Sequence, residues 1–196
     1  MSRDVFNAYG IACDPALEEW IGSERGKCLV VGTGWTLWQD MEAAGFEKGE
    51  WKQPFGIVAV NRAVQDLPCF VNHGFSNHAR MLRLWHGGRD EVHARKDRLH
   101  PGTTVLHSIR GGHDGIVWPW SGCGTSSLCA VLTAITLGYE EVLVCGVPMD
   151  KGPHYYDPPW HKTNFANNHN DRHWQDCARR VFNGRVRVMS GRLASL

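Results

Sequence analysis

No run of apolar residues in the sequence is long enough to cross a bilayer. The opening stretch MSRDVFNAYGIACDPALEEW has no basic segment followed by an apolar core, so a secretory leader is not expected there. An excess of one charge is missing as well. Lys and Arg total 21 against 20 Asp and Glu, a formal net charge of +1 with histidines neutral, which supplies no strong field toward nucleic acid or a membrane surface. A local basic run within Arg80–Arg98 leaves nucleic acid open as a lesser partner. The seven cysteines are odd in number, scattered and without a CxxC pair, which argues against a disulfide framework and fits a reducing cytoplasm. Cys28, Cys129 and Cys145 fall inside apolar patterns and are expected as buried thiols. There is no HExxH and no Cys/His spacing of the zinc-finger kind, so no metal site is expected. Internal repeats, linkers and low-complexity segments are also lacking.

What is present suits one globular domain. Hydrophobic residues make up 42% and charged residues 21% of 196 positions, enough for a real core. Residues 1–196 read as a single unit, with a core over 27–190 and an N-terminal extension over 1–26. KCLVV (Lys27–Val31) and FGIVAV (Phe55–Val60) are short apolar runs bounded by Gly or polar residues, which predicts buried strands. PCFV (Pro68–Val71), Thr103–Ile109, Glu141–Cys145 and Arg185–Met189 are expected as further strands. Helices are expected over Trp35–Ala44, from about Asn77 through Trp85, over Ser126–Leu137 and over Asp171–Phe182, the last capped by Asp171 or Asn170. Gly87–Gly102, Arg110–Gly124 and Lys151–Asn170 carry no clear period and read as loops. Strands alternating with helices predict an α/β fold: a single Rossmann-like domain, a mainly parallel sheet with helices on both faces.

In such sheets ligands bind outside the carboxyl ends of the strands. Four segments directly follow apolar runs and are expected on that edge: Gly32–Gly34, Asn61–Arg62, Asn72–His78 and Gly146–Asp150. VVGTGWTL lacks the third Gly of GxGxxG and the Lys of a P-loop, leaving strand–Gly32–Thr33–Gly34–helix, a turn that lets backbone approach a ligand or simply turns tightly. Gly124, Thr125 and Ser126 precede the longest apolar helix, where a hydroxyl caps the helix and free N–H groups suit a phosphate. Asn61 can read a base or ribose edge through its two-sided amide. Arg62 suits a phosphate or a structural carboxylate. HYYDPPWHKTNFANNHNDRHW (His154–Trp174) holds four His, two Tyr and two Trp, and a long aromatic loop of this kind is usually functional. A tyrosine there, Tyr155 or Tyr156, can donate to a phosphate, and a histidine can act as general base because it titrates near neutrality. Asp150 and His154 are counted with the ligand-facing residues.

VVGTG, the strand end VNR and the block GTSSLCAVLTAITLGYEEVLVCGVPMD together resemble the sialyltransferase-like superfamily. That superfamily includes bacterial sialyltransferases, the small-residue–helix–strand motif of their animal counterparts and the archaeal 6-hydroxymethyldihydropterin pyrophosphokinase group. The resemblance covers Lys27–Asn72 and Gly122–Asp150. It implies a nucleotide at the carboxyl edge, held by Gly32, Thr33, Gly34, Asn61, Gly124, Thr125 and Ser126, with Tyr155 and Tyr156 near the leaving phosphate. It also implies a general-base histidine ahead of the last helix, best matched by His169, with His161 and His173 as alternatives. The activity the resemblance implies is a nucleotide-sugar-dependent glycosyl transfer, with a cytidine-monophosphate sugar as donor in the sialyltransferases and no metal required. The alternatives are an ATP-dependent pyrophosphokinase, with Asp150 and Asp157 on Mg²⁺, and a non-catalytic module that binds a nucleotide or sugar phosphate. Departures from the family pattern are Thr33, where many members carry Asn, and the short chain.

Overall fold

A computed structural model describes residues 3–94, 104–112, 114–120, 124–161 and 168–196. Seven strands form one sheet: β1 Lys27–Val31, β2 Gly56–Val60, β3 His73–Phe75, β4 Val105–Ser108, β5 Ile116–Val117, β6 Glu141–Cys145 and β7 Val186–Val188. Their order is β5-β4-β3-β2-β1-β6-β7, and every pairing is parallel. The expected α/β architecture is therefore present. All-parallel pairing follows from strands that are apolar on both faces. In β1, Cys28 and Val30 enter one core while Leu29 and Val31 enter the other. The chain steps outward from β1 through β5 on one side, then returns to place β6 and β7 on the other. That reversal makes the β1/β6 boundary the switch point of the sheet.

On one face lie α1 (Asp4–Tyr9), α5 (Ser126–Leu137) and α6 (Asn168–Cys177), the last continued by a π-helical stretch over Ala178–Phe182. On the other lie α2 (Leu37–Ala43), α3 (Ala63–Asp66) and α4 (Ala79–Ala94). α5 is buried almost all round, so its two interior threonines need partners. Thr133 Oγ1 accepts from the Trp120 indole at 3.0 Å, and Thr136 donates to the Leu132 carbonyl at 2.9 Å. Thr125 caps its start by accepting from the Leu128 N–H at 3.2 Å. Gly138, at φ 109°, ends it in the left-handed region that glycine adopts most easily.

Four sequence expectations are corrected. PCFV is not a strand. Cys69 and Val71 are buried, but pairing begins later, at His73, where Gly74 leaves room between Leu106 and Val64 for a tightly packed strand. Gly87–Ala94 is helix rather than loop. Gly88 does not break α4, because its missing side chain lets α4 approach Gln65, and buried Arg89 donates to the carbonyls of Val64, Leu67 and Cys69 at the end of α3. Residues 95–102 of that expected loop, and Thr103 of the expected strand after it, lie outside the described residues. Arg110–Gly124 contains the short edge strand β5. The last helix starts earlier, at Asn168, and finishes as a π-helix.

The N-terminal residues add to the core: Val5 and Phe6 of α1 pack with α5, and Phe6 meets Trp120 with ring centroids 5.0 Å apart. A buried polar chain ties residue 24 to the sheet. The Trp118 indole, which can only donate, bonds His107 Nδ1 at 2.9 Å. His107 Nε2 therefore carries the proton and donates to His73 Nδ1 at 2.9 Å. His73 Nε2 then directs its N–H toward Glu24 Oε1, 3.4 Å away. The nearby His73 N–H holds the Glu24 carboxyl below its ordinary value. Cys28, Cys129 and Cys145 are fully buried thiols. Among the described residues no helix is long and apolar enough to cross a membrane.

Candidate functional site

A cleft of about 520 Å³ lies over the carboxyl edge of the sheet. One wall comes from the β1 and β6 ends, through Thr33, Gly34 and Gly146–Asp150, with His154 and Tyr156 above them. The opposite wall comes from the β2, β3 and β4 ends, through Asn61, Asn77, His78 and Arg110, with Trp85 of α4. Gly124–Ser127 at the start of α5, together with Asn170 of α6, complete it.

The switch point itself is closed by backbone contact. Gly32 N–H donates to the Cys145 carbonyl at 2.8 Å, and Gly34 N–H to the Gly146 carbonyl at 2.7 Å. A Cβ on Gly32 would sit 2.6 Å from the Gly146 oxygen, and one on Gly34 would collide with the Pro148 ring. The two glycines are thus required by the β1–β6 contact, and only Gly34 borders the cleft. Asp40, buried on α2, holds the same turn by accepting from the Gly146 N–H at 2.9 Å and from the hydroxyls of Thr36 at 2.9 Å and Ser190 at 2.7 Å. Met149 has φ 54° and Asn61 φ 56°, so two of the three non-glycine residues at positive φ among those described line the cleft. Strain of this kind gathers at functional sites.

The loop after Asp150 is folded against this turn. Trp35 donates its indole N–H between both Asp150 oxygens, each at 3.2 Å, and the Gly152 N–H reaches Oδ1 at 2.8 Å. Gly34 and His154 form an antiparallel bridge. His154 Nδ1 lies 2.8 Å from Thr33 Oγ1 and 3.2 Å from the Thr33 carbonyl. Burial lowers the His154 pKa, which favours a neutral ring near pH 7. Its ring stacks on Tyr156, centroids 5.0 Å apart and 12° from parallel, and the Arg62 guanidinium lies over the Tyr156 ring at 4.6 Å. Burial, and next the Asp157 charge, raise the Tyr156 hydroxyl above its ordinary value, keeping it a proton donor.

The cleft therefore brings together Thr33, Gly34, Asn61, Gly124, Thr125, Ser126, Asp150, His154 and Tyr156 from the sequence-derived set. Gly32 lies beneath it. Arg62 stands outside, paired with Asp66 at 2.9 Å as well as covering Tyr156. Tyr155 is also outside, because its hydroxyl donates to Asp66 at 2.5 Å and its ring packs edgewise on Trp38 and Tyr156. Of the histidines, His161 is exposed with Nε2 3.8 Å from Asp157, and the His173 ring lies against Gly124. The backbone of His169 belongs to the first turn of α6, and its side chain lies outside the described residues.

Trp85 and Arg110 are not singled out by the sequence, whereas Asn77 and His78 lie in Asn72–His78, a segment expected on the carboxyl edge, and Asn170 is marked there only as a helix cap. One available signal was the spacing His78, Leu82, Trp85, Arg89, a single helix stripe whose later members turn to the core. Asn61 Oδ1 accepts from the Ser76 hydroxyl at 2.7 Å, and Ser126 Oγ accepts from the Asn77 N–H at 3.1 Å, so these polar residues also position one another. Asp150 and Asp157 do not form a ready-made all-protein Mg²⁺ site. Asp150 is committed to Trp35 and Gly152, Asp157 Oδ2 accepts from the His154 N–H at 3.3 Å, and no three His, Cys, Asp or Glu side chains converge among the described residues.

The fold is similar to that of the MAf glycosyltransferase from Magnetospirillum magneticum AMB-1, with a TM-score of 0.50 and 14% identity. The likeness covers 88% of this chain and 32% of that one, so this chain spans about a third of that protein. At this identity the likeness concerns the fold. No family model matches the sequence. No curated protein matches it either.

Proposed function

We propose that the protein is a nucleotide-sugar-dependent glycosyltransferase of the sialyltransferase-like type, working by direct displacement with a histidine base. The observation that carries this reading is the cleft at the carboxyl edge, where the first turn of α5 meets the strand-end loops. The MAf enzyme's name, glycosyltransferase, on a similar fold supports the same class. The donor's phosphate lies at the α5 N-terminus, where unpaired N–H groups and the helix dipole favour negative charge.

In the reaction the acceptor hydroxyl oxygen forms a bond to the anomeric carbon as the bond from that carbon to the phosphate oxygen breaks. His169 takes the hydroxyl proton. The α5 N–H groups and the Tyr156 hydroxyl stabilise the charge that develops on the leaving phosphate. Tyr155 contributes indirectly, packing against Tyr156 while bonded to Asp66.

The test is release of nucleotide from CMP-, UDP- and GDP-sugars with a chelator present, using wild-type protein and His169→Ala. We expect turnover by wild type, a loss of about 10²–10⁴-fold in the variant, and unchanged nucleotide affinity. Turnover only with ATP and Mg²⁺ would identify a pyrophosphokinase instead. Binding without any turnover would identify a binding module.

A further inference from the structure

We infer that the β3–β4 end of the cleft is a nucleobase subsite, in which Trp85 stacks the ring, Asn77 reads an exocyclic amine and Arg110 takes the adjoining phosphate. This rests on the nucleotide-dependent reading above and adds which end of the cleft holds the base, and by what chemistry.

Three observations carry it. Trp85 shares a helix stripe with Leu82 and Arg89, both fully buried, yet is itself only half-buried, because it stands where α4 meets the cleft. Its ring packs against the α2–α4 core, which fixes it as a platform. The other large aromatic lining the cleft among the described residues is Tyr156, whose ring is already engaged by His154 and Arg62, so Tyr156 offers its hydroxyl rather than a ring face.

Asn77 supplies the second observation. Its Oδ1 is buried and has no hydrogen-bond partner among the described residues, while its backbone N–H is held by Ser126. A buried acceptor without a donor is costly, and a bound group with an N–H relieves it. A base with an exocyclic amine, such as cytosine or adenine, presents that donor at the edge of a flat ring. Uracil presents a carbonyl there.

Third, Arg110 follows β4 directly, in the neighbourhood of Asn77, since the Ser76 N–H donates to the His107 carbonyl at 3.1 Å. Arg110 is exposed, lines the cleft and has no carboxylate partner among the described residues. A phosphate next to the base and ribose gives it one.

The test is titration of wild type, Trp85→Ala, Trp85→Phe, Asn77→Leu and Arg110→Ala with cytidine, CMP and UMP, with circular dichroism as the folding control. Alanine at position 85 should weaken both cytidine and CMP by about tenfold or more, the usual loss for one stacked base, while phenylalanine restores most of it. Arg110→Ala should weaken CMP and spare cytidine. Wild type should prefer CMP over UMP, and Asn77→Leu should erase that preference. Unchanged CMP affinity in a folded Trp85→Ala, or equal CMP and UMP affinities in wild type, would overturn the subsite and leave the nucleotide reading standing. If Trp85→Ala does not fold, undiminished CMP affinity in both Asn77→Leu and Arg110→Ala overturns it equally. No binding of any nucleotide by wild type would overturn both.

Discussion

His154 is packed between Thr33 and the Tyr156 ring, and its surroundings favour the uncharged form. Its folded pKa lies below the 6.5 of the free side chain, so the unfolded chain binds a proton more readily. The sign follows. The contribution of His154 to stability is present above pH 6.5 and is lost on acidification as pH falls through the folded value. Melting measured from pH 7.5 down to 5 should show this loss, and His154→Gln should flatten it. Gly34 is equally local in its effect. A methyl group there meets Pro148 and the Gly146 carbonyl, so Gly34→Ala should destabilise by about 1–3 kcal/mol, read by urea unfolding. Some of this was legible in advance, because Gly32-Thr33-Gly34 stood out in the chain. Which glycine borders the cleft and which lies beneath it was not, since that depends on a strand more than a hundred positions away.

Among the elements, α5 shows sequence and structure in closest accord. Its apolar run, its Thr125 cap and its glycine stop are local signals, and they gave Ser126–Leu137 as found. Thr125→Ala should cost about 1 kcal/mol in stability by loss of the cap, with Thr125→Ser recovering most of it in thermal melts. α4 was misread for the opposite reason. Gly87-Gly88 and the charges after it resemble a break, and the compensation lies in α3, whose carbonyls Arg89 satisfies. Arg89→Met should therefore destabilise by roughly 3 kcal/mol, since several buried acceptors lose their donor, and denaturant unfolding will show it. β3 escaped notice because His and Gly are poor strand signals. His73 is accommodated by His107 and Glu24, both distant in sequence.

The seven parallel strands, the order reversal at β1/β6 and the helices on both faces together place the cleft. The alternation of strand and helix made the architecture readable, and the carboxyl-edge rule then predicted most of the wall at the β1 and β6 ends. On the opposite wall Asn77 falls in a segment expected at that edge, while Trp85 and Arg110 sit in a helix and a loop whose neighbours only the folded chain supplies. The histidine base is what the resemblance implies. The most direct test of a nucleotide cleft is the melting temperature with CMP, CDP, UDP, GDP, ADP and ATP, each with and without Mg²⁺. At a ligand concentration of about 100 times Kd, one of the cytidine, uridine or guanosine nucleotides should raise it by roughly 5–10 °C without metal. A panel in which nothing moves the transition, or in which only ATP with Mg²⁺ does, would contradict the account.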